Sequence, residues 1–118
     1  MRRAGALAPA RAFYNERMST KLSVNVNKVA TLRNTRALGI PSVVGLARVA
    51  LEAGAAGITI HPRPDRRHIR PDDVGELATL LREFPGAEFN IEGNPFFDYL
   101  PHSRASRLTQ CTLVADTT

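Results

Sequence analysis

The sequence predicts an α/β fold built as a parallel βαβ repeat, and three observations carry this prediction. Short segments with the two-residue period of a strand alternate along the chain with segments that have the longer period of a helix. The strand-like segments are rich in β-branched and aromatic residues on one face, as buried parallel strands are. The other face of three of them carries polar residues near the carboxyl end, where parallel α/β sheets bind their ligands.

The first predicted strand covers residues 22–26, and the alternation of side chains gives it one apolar and one polar face. Its polar face carries Ser23, Asn25 and, just beyond the strand, Asn27. The next residues, 28–36, contain three cations and are predicted to form a loop.

Two amphipathic helices are predicted in the middle of the chain. The first begins after Ser42, whose hydroxyl suits an N-cap, and ends near Gly54, which suits the position after a helix. Its apolar stripe consists of Val43, Val44, Leu46, Ala47, Ala50 and Leu51. The second begins at Pro71, which is followed by two aspartates at the positive end of the helix dipole. Its apolar stripe consists of Val74, Leu77, Leu80 and Leu81.

The second predicted strand, residues 57–61, leads into a loop dense in charge. The polar face of the strand carries Thr59 and His61. The loop is bounded by prolines, and its charged and titratable residues are Arg63, Asp65, Arg66, Arg67 and His68. Guanidinium forks and imidazoles held by prolines are what a phosphate or carboxylate site needs. A solvated charged loop is the alternative for this segment alone, but the polar ends of the other two strands favour a ligand site.

The third predicted strand covers residues 88–92, with Asn90 and Glu92 on its polar face. A weaker helical segment at 96–107 follows, and a proline interrupts it. A fourth strand is predicted at 110–114. The order of strands and helices is therefore that of consecutive βαβ units.

The composition fits one globular domain. At 118 residues, with 43% of them hydrophobic, the chain is long enough for one modest core. It has no apolar run near the roughly 18 residues of a membrane helix. Its single cysteine, Cys111, has no disulfide partner, which fits a reducing compartment. We expect Cys111 to be a small core residue that faces a helix.

The formal charge of +5 is concentrated at the N-terminus. Residues 1–21 carry a net charge of +4, whereas the remaining chain, with 11 basic and 10 acidic residues, carries +1. A general basic face for nucleic acid is therefore not expected. We expect residues 1–21 to form a basic, disordered extension and residues 22–118 to form the folded part.

Three motifs on the predicted strands resemble one known family. They are VNVNKVATLRN from Val24, AGAAGITIHPRPDRRHI from Ala53 and FNIEG from Phe89. In sequence and spacing they resemble pyridoxine 5'-phosphate synthase over about residues 22–116, and the middle motif is the most specific. The resemblance implies a (β/α)8 TIM barrel, of which this truncated chain carries the first four strands.

The resemblance also implies an enzyme of vitamin B6 and pyridoxal phosphate biosynthesis, a ring-closing transferase. That family condenses 1-deoxy-D-xylulose 5-phosphate with 3-amino-2-oxopropyl phosphate to pyridoxine 5'-phosphate. By position, His61 and Glu92 resemble its two proton acceptors. The positions that resemble its substrate-binding residues are Arg63 and His68 for the deoxyxylulose phosphate, and Asn25 and Arg36 for the amino-ketone phosphate. Where the family often has Asp-His, this chain has Asn27 and Lys28, which we also assign to substrate binding.

No cofactor and no metal ion are implied. The expected partners are the two phosphorylated substrates and further copies of the chain in a homo-oligomer, with no nucleic acid and no membrane. Because only four strands of a barrel of eight are predicted, we expect the isolated chain to fold marginally or to depend on association. A cytoplasmic location is expected because the sequence has no convincing export signal.

The residues alone leave two other functions open. A metal-dependent hydrolase would use His61, Asp65 and His68, although their spacing is not a dedicated ligand motif. A non-catalytic module that binds phosphate ligands or nucleic acid would use the basic N-terminus. Structural roles are also predicted for single arginines: a salt bridge for Arg33, and solvated or oligomer-contact positions for Arg66 and Arg67.

Overall fold

A computed structural model describes residues 20–94 and 109–114 of the chain. In chain order its elements are β1 (Ser23–Asn25), α1 (Asn27–Asn34), α2 (Val43–Glu52), β2 (Gly57–Ile60), α3 (Pro71–Leu81), β3 (Glu88–Gly93) and β4 (Gln110–Leu113). The predicted basic extension, up to residue 19, and the predicted helical segment at 96–107 lie outside the described residues. In the described part of the chain, no helix is both long and apolar enough to cross a membrane.

The four strands form one parallel sheet in the order β1-β2-β3-β4. Helix α2 lies in the connection from β1 to β2, and α3 lies in the connection from β2 to β3. The predicted α/β class with a parallel βαβ sheet is therefore confirmed. The register aligns Asn25 with Thr59 and Thr59 with Asn90, so the polar positions of three strands lie side by side.

The hydrophobic core lies between one face of the sheet and helices α2 and α3. In the sheet, Ile58, Ile60 and Ile91 are completely buried. On α3 the whole predicted stripe is buried: Val74, Leu77, Leu80 and Leu81. On α2 the buried residues are Val43, Ala47 and Leu51. The predicted place of Leu46 in that stripe is wrong, because Leu46 lies about 100° around the helix from Ala47 and is 44% exposed.

The helix ends use the side chains that the sequence predicts. Ser42 Oγ accepts a hydrogen bond from the backbone N–H of Gly45 at 3.0 Å, which caps α2. Gly54 follows α2 with a φ of 108°, a conformation that favours glycine. At the start of α3, Asp73 Oδ2 accepts a hydrogen bond from the backbone N–H of Arg70 at 2.8 Å.

The segment at 28–36, predicted to be a loop, is mostly helical, and that prediction is wrong. Helix α1 covers Asn27–Asn34. Asn25 Oδ1 accepts the backbone N–H of Asn27 at 2.8 Å and so satisfies a donor at the helix start. Ala30 is buried, and Val29 packs against the core. Two turns are too short to give a clear period in the sequence, so tertiary packing decides the conformation.

Cys111 also differs from its prediction, because it is exposed. It lies on β4, which is an edge strand of the described sheet and pairs there with β3. The expectation that Cys111 faces a helix in the core is therefore wrong for the part of the chain that the structure describes.

We predict that Gly57→Ala destabilises the fold and that Gly75→Ala does not. A Cβ at residue 57 would lie 2.5 Å from the backbone oxygen of Glu88 on the neighbouring strand, so the strands would have to separate. We expect urea denaturation to show a loss of about 1–3 kcal/mol in the free energy of unfolding. Gly75 is exposed on α3 with nothing within 4 Å of an added Cβ, so Gly75→Ala should gain about 0.5–1 kcal/mol. Equal effects of the two substitutions would contradict the close approach of β2 and β3.

Candidate functional site

A row of hydrogen-bonded polar side chains crosses the sheet on the face opposite the hydrophobic core. Ser23 Oγ and Thr59 Oγ1 are 2.7 Å apart, and the Asn90 amide Nδ2 donates to Thr59 Oγ1 at 3.4 Å. Thr112 Oγ1 then donates to Asn90 Oδ1 at 3.0 Å. Thr59 and Asn90 are buried, so these hydrogen bonds offset their loss of contact with water. The next residues on this face, toward the carboxyl ends of the strands, are Asn25, His61 and Glu92.

His61 follows the last residue of β2 and is half-buried. Its backbone N–H donates to Asn27 Oδ1 at 2.9 Å. Asn27 is the first residue of α1, and its own N–H donates to Asn25 Oδ1. The two asparagines predicted to bind substrate therefore bind backbone N–H groups here. They fix the chain at the point where His61 leaves the sheet.

The loop after β2 is organised around Asp65. Arg67 donates to both of its carboxylate oxygens, from the backbone N–H at 3.1 Å and from Nε at 3.0 Å. The hydrogen bond from the Arg67 side chain is the main cause that lowers the pKa of Asp65. Arg63 Nε lies 3.5 Å from the same carboxylate, and the Arg63 side chain is only 13% exposed. Arg66 and Arg67, by contrast, are exposed, as predicted for solvated positions.

His68 lies beside His61, with 6.2 Å between the two ring centroids. The backbone N–H of Ile69 donates to His68 Nδ1 at 2.8 Å, so Nδ1 carries a lone pair and the neutral ring holds its proton on Nε2. Burial lowers the pKa of His68, and the neighbouring His61 and Arg63 lower it further by charge repulsion. His68 is therefore arranged as a neutral hydrogen-bond donor through Nε2.

The remaining predicted site residues lie in three different places. Glu92 is half-buried in β3, two residues after Asn90. Lys28 is exposed in the first turn of α1, and Arg36 is exposed in the turn after that helix. The predicted site residues that the structure gathers around the end of β2 are Asn25, Asn27, His61, Arg63 and His68. Lys28 and Arg36 lie at opposite ends of α1.

Sequence reasoning missed Asn34, the last residue of α1. Its Nδ2 donates to the backbone oxygens of His68 at 2.8 Å and of Arg67 at 3.2 Å. The salt bridge predicted for Arg33 is confirmed, and its partner is Asp73. An asparagine that binds the backbone of a distant loop follows no rule of sequence spacing, so the fold is needed to find it.

Two alternatives to this site, a metal centre and a cavity, are less favourable in the described part of the chain. In residues 20–94 and 109–114, no group of three or more His, Cys, Asp or Glu side chains could hold a metal ion. The carboxylate of Asp65, which the metal-dependent hydrolase would need, is engaged by two arginines. A cavity of about 390 Å³ lies at the amino ends of the strands, where Lys21, Ser23, Ala56, Glu88 and Thr109 are among the lining residues. Ligands of parallel α/β sheets bind at the opposite end.

We predict that His68 makes the fold less stable in mild acid. Its pKa is lowered in the folded protein from the ordinary 6.5, so between the two pKa values the unfolded chain binds a proton that the folded protein does not. The neutral His68 therefore contributes to the stability of the folded protein above about pH 6.5. That contribution is lost as the pH falls through the pKa of His68 in the folded protein. His68→Gln should flatten the dependence of the free energy of unfolding on pH between about pH 7 and pH 5, measured by urea denaturation. An unchanged slope would show that His68 is not the responsible group.

Comparison with known proteins agrees with the motifs. A family model described as "Pyridoxal phosphate biosynthesis protein PdxJ" matches residues 22–118. A protein of Albidiferax ferrireducens named pyridoxine 5'-phosphate synthase is 64% identical over 83 residues, which cover 70% of this chain and 33% of that protein. Proteins of the same name from Xanthomonas axonopodis pv. citri and Brucella anthropi are 58% and 57% identical, and each match covers 84% of this chain and 41% of the relative.

The chain thus spans about two fifths or less of the length of these curated relatives. The family model, however, matches the whole of the chain after residue 21. The resemblance carried by the three motifs is therefore confirmed, and the chain belongs to the PdxJ family of pyridoxal phosphate biosynthesis proteins.

Proposed function

We propose that this chain acts in the condensation of 1-deoxy-D-xylulose 5-phosphate with 3-amino-2-oxopropyl phosphate to pyridoxine 5'-phosphate. The observation that carries the proposal is the convergence of His61, Arg63 and His68 just after β2. Two imidazoles and a largely buried guanidinium meet there at the end of the sheet where parallel α/β proteins bind their ligands. Membership of the PdxJ family, whose cited members are named for this activity, supports the proposal.

His61 and Glu92 are the proposed proton acceptors. Ring closure requires enolisation and loss of water, and these steps need bases held within hydrogen-bond reach of the substrate. Imidazole is the side chain that takes up and releases protons most readily near neutral pH. Glu92 lies on the polar face of the neighbouring strand β3, so a substrate held at the carboxyl ends of both strands would lie between the two bases.

Arg63 and His68 are the proposed ligands of 1-deoxy-D-xylulose 5-phosphate. The guanidinium fork matches the geometry of phosphate oxygens, and the Nε2–H of a neutral His68 adds a donor without adding charge. The other proposed substrate ligands are Asn25 and Arg36 for the amino-ketone phosphate. Asn27 and Lys28, at the start of α1, are also proposed to bind substrate. The contact of Asn27 with the backbone of His61 adds a positioning role to its proposed role in binding.

The wider architecture is part of the same proposal. We propose that the four strands are the first four of a (β/α)8 TIM barrel, with residues 22–118 as the partial barrel and residues 1–21 as a basic extension. The parallel strand order and the PdxJ family support this assignment. A homo-oligomer is proposed from the family resemblance, and the cytoplasmic location expected from the sequence is kept as a proposal. Nothing in the described residues favours the metal-dependent hydrolase or the nucleic-acid module over this function.

The purified chain, mixed with both substrates, should form pyridoxine 5'-phosphate, which chromatography can detect. His61→Ala should lower the rate about a hundredfold or more, because it removes a proposed base. The control is Arg48→Ala, which breaks an exposed ion pair between α2 and Glu83 in the turn after α3 and should leave the rate unchanged. Absence of product together with absence of saturable binding of either substrate would contradict the proposed function.

Arg63→Ala should weaken the binding of 1-deoxy-D-xylulose 5-phosphate about tenfold to a hundredfold, since it removes charge-assisted hydrogen bonds to phosphate. Isothermal titration calorimetry measures this affinity directly. Arg66 carries the same charge in the same loop but is exposed, so Arg66→Ala is the matched control and should bind nearly as the unmodified chain does. Similar losses of affinity in the two variants would mean that binding depends only on the net charge of the loop. That result would contradict the proposed contact between Arg63 and the phosphate.

A further inference from the structure

Helix α1 contacts both ends of the loop that carries the two histidines. At the start of the helix, Asn27 Oδ1 accepts the backbone N–H of His61 at 2.9 Å. At its end, Asn34 Nδ2 donates to the backbone oxygens of Arg67 and His68, at 3.2 and 2.8 Å. The two asparagines are about two helical turns, or about 10 Å, apart. A short, rigid element thus holds the loop at two points.

The amide of Asn34 is itself held in one orientation. Its Oδ1 accepts hydrogen bonds from Arg33 Nε at 3.0 Å and Nη2 at 2.9 Å. Arg33 also forms a two-pronged ion pair with Asp73 of α3 and donates to the backbone oxygen of His68 at 3.2 Å. The side chains of this ion pair are only 11% and 7% exposed. Because Oδ1 faces Arg33, the Nδ2 of Asn34 must face the loop.

The hydrogen bond from Asn34 to the loop affects the ring of His68 through a single peptide unit. The carbonyl oxygen of His68 and the N–H of Ile69 belong to the same planar peptide. Asn34 and Arg33 bind the oxygen of that peptide, and its N–H donates to His68 Nδ1. Fixing the peptide plane therefore fixes the direction of the ring and keeps the proton of the neutral ring on Nε2.

We propose that Asn34, oriented by the Arg33–Asp73 ion pair, is a positioning residue that presents the Nε2–H of His68 to the phosphorylated sugar. The inference rests on the proposed function, because it takes 1-deoxy-D-xylulose 5-phosphate as the ligand of His68. Asn34 acts through the peptide and the ring rather than by touching the substrate. If Asn34 only fastened the loop to α1, its loss would lower stability without changing the state of the ring.

The first test reads the His68 ring and needs no activity. In the intact chain, at a pH where the ring is neutral, 15N NMR should show an unprotonated Nδ1 and a protonated Nε2. Asn34→Ala should move both signals toward the intermediate values of a ring that exchanges between tautomers. The matched control is Thr35→Ala, which removes a hydrogen bond to the backbone oxygen of Leu32 at the same helix end. Unchanged ring signals in Asn34→Ala, or equal changes in Thr35→Ala, would overturn the proposal.

The second test measures the affinity of each substrate separately by calorimetry. Asn34→Ala should lower the affinity for 1-deoxy-D-xylulose 5-phosphate about threefold to tenfold, the range expected for one misplaced hydrogen bond. The substitution should leave the affinity for 3-amino-2-oxopropyl phosphate unchanged, because the proposed ligands of that compound, Asn25 and Arg36, lie outside the loop. Equal weakening of both substrates would show a merely structural role and overturn the proposal.

A second variant keeps the test valid if Asn34→Ala does not fold. Asn34→Asp has the same shape and keeps the acceptor for Arg33, but it lacks the N–H donors that bind the loop carbonyls. It should show the same selective loss of affinity for the sugar phosphate, and full affinity would overturn the proposal. If the unmodified chain binds neither substrate, the proposed function fails, whereas the ring signals of His68 still decide the role of Asn34.

Discussion

The parallel register of the strands is the constraint on which the rest of the structure depends. It places Thr59 beside Asn90 and lets hydrogen bonds run across all four described strands, so that buried polar side chains have partners. A slip of one residue would turn these side chains toward the helices and expose Ile58 instead. The same register brings the carboxyl ends of the strands to one edge, where His61 and Glu92 follow the polar row.

The electrostatics of that edge suit phosphorylated ligands. The loop after β2 holds more cations than Asp65 can balance, and the burial of His68 favours its neutral form, so the ring donates a hydrogen bond without adding to the repulsion. The nearly buried pair of Arg33 and Asp73 costs desolvation that its hydrogen bonds offset, so such a pair adds little net stability. The pair instead fixes geometry, because Arg33 of α1 donates hydrogen bonds both to the backbone of the loop at His68 and to Asp73 of α3.

Features decided by local physics were predictable from the sequence, and features decided by distant contacts were not. Helix α3 has a proline at its first position, acids in its first turn and four buried residues at helical spacing, all of which are local signals. Helix α1 was missed because two turns give a weak period and the burial of Ala30 depends on the whole fold. The candidate site was predicted through the motif around His61. The contacts of Asn27 and Asn34 with the loop backbone were not, because hydrogen bonds to a distant backbone leave no spacing in the sequence.

The most direct test of the proposed function is to map where its proposed substrate, 1-deoxy-D-xylulose 5-phosphate, binds to the chain. Two-dimensional NMR of the chain during titration with this substrate reports each backbone amide whose surroundings change. The expected result is a set of saturable shifts concentrated in residues 61–69, with smaller shifts at residues 25–28 beside them. Shifts around the cavity at the amino ends of the strands, near Lys21, Glu88 and Thr109, with the loop unchanged, would contradict a substrate site at the end of β2.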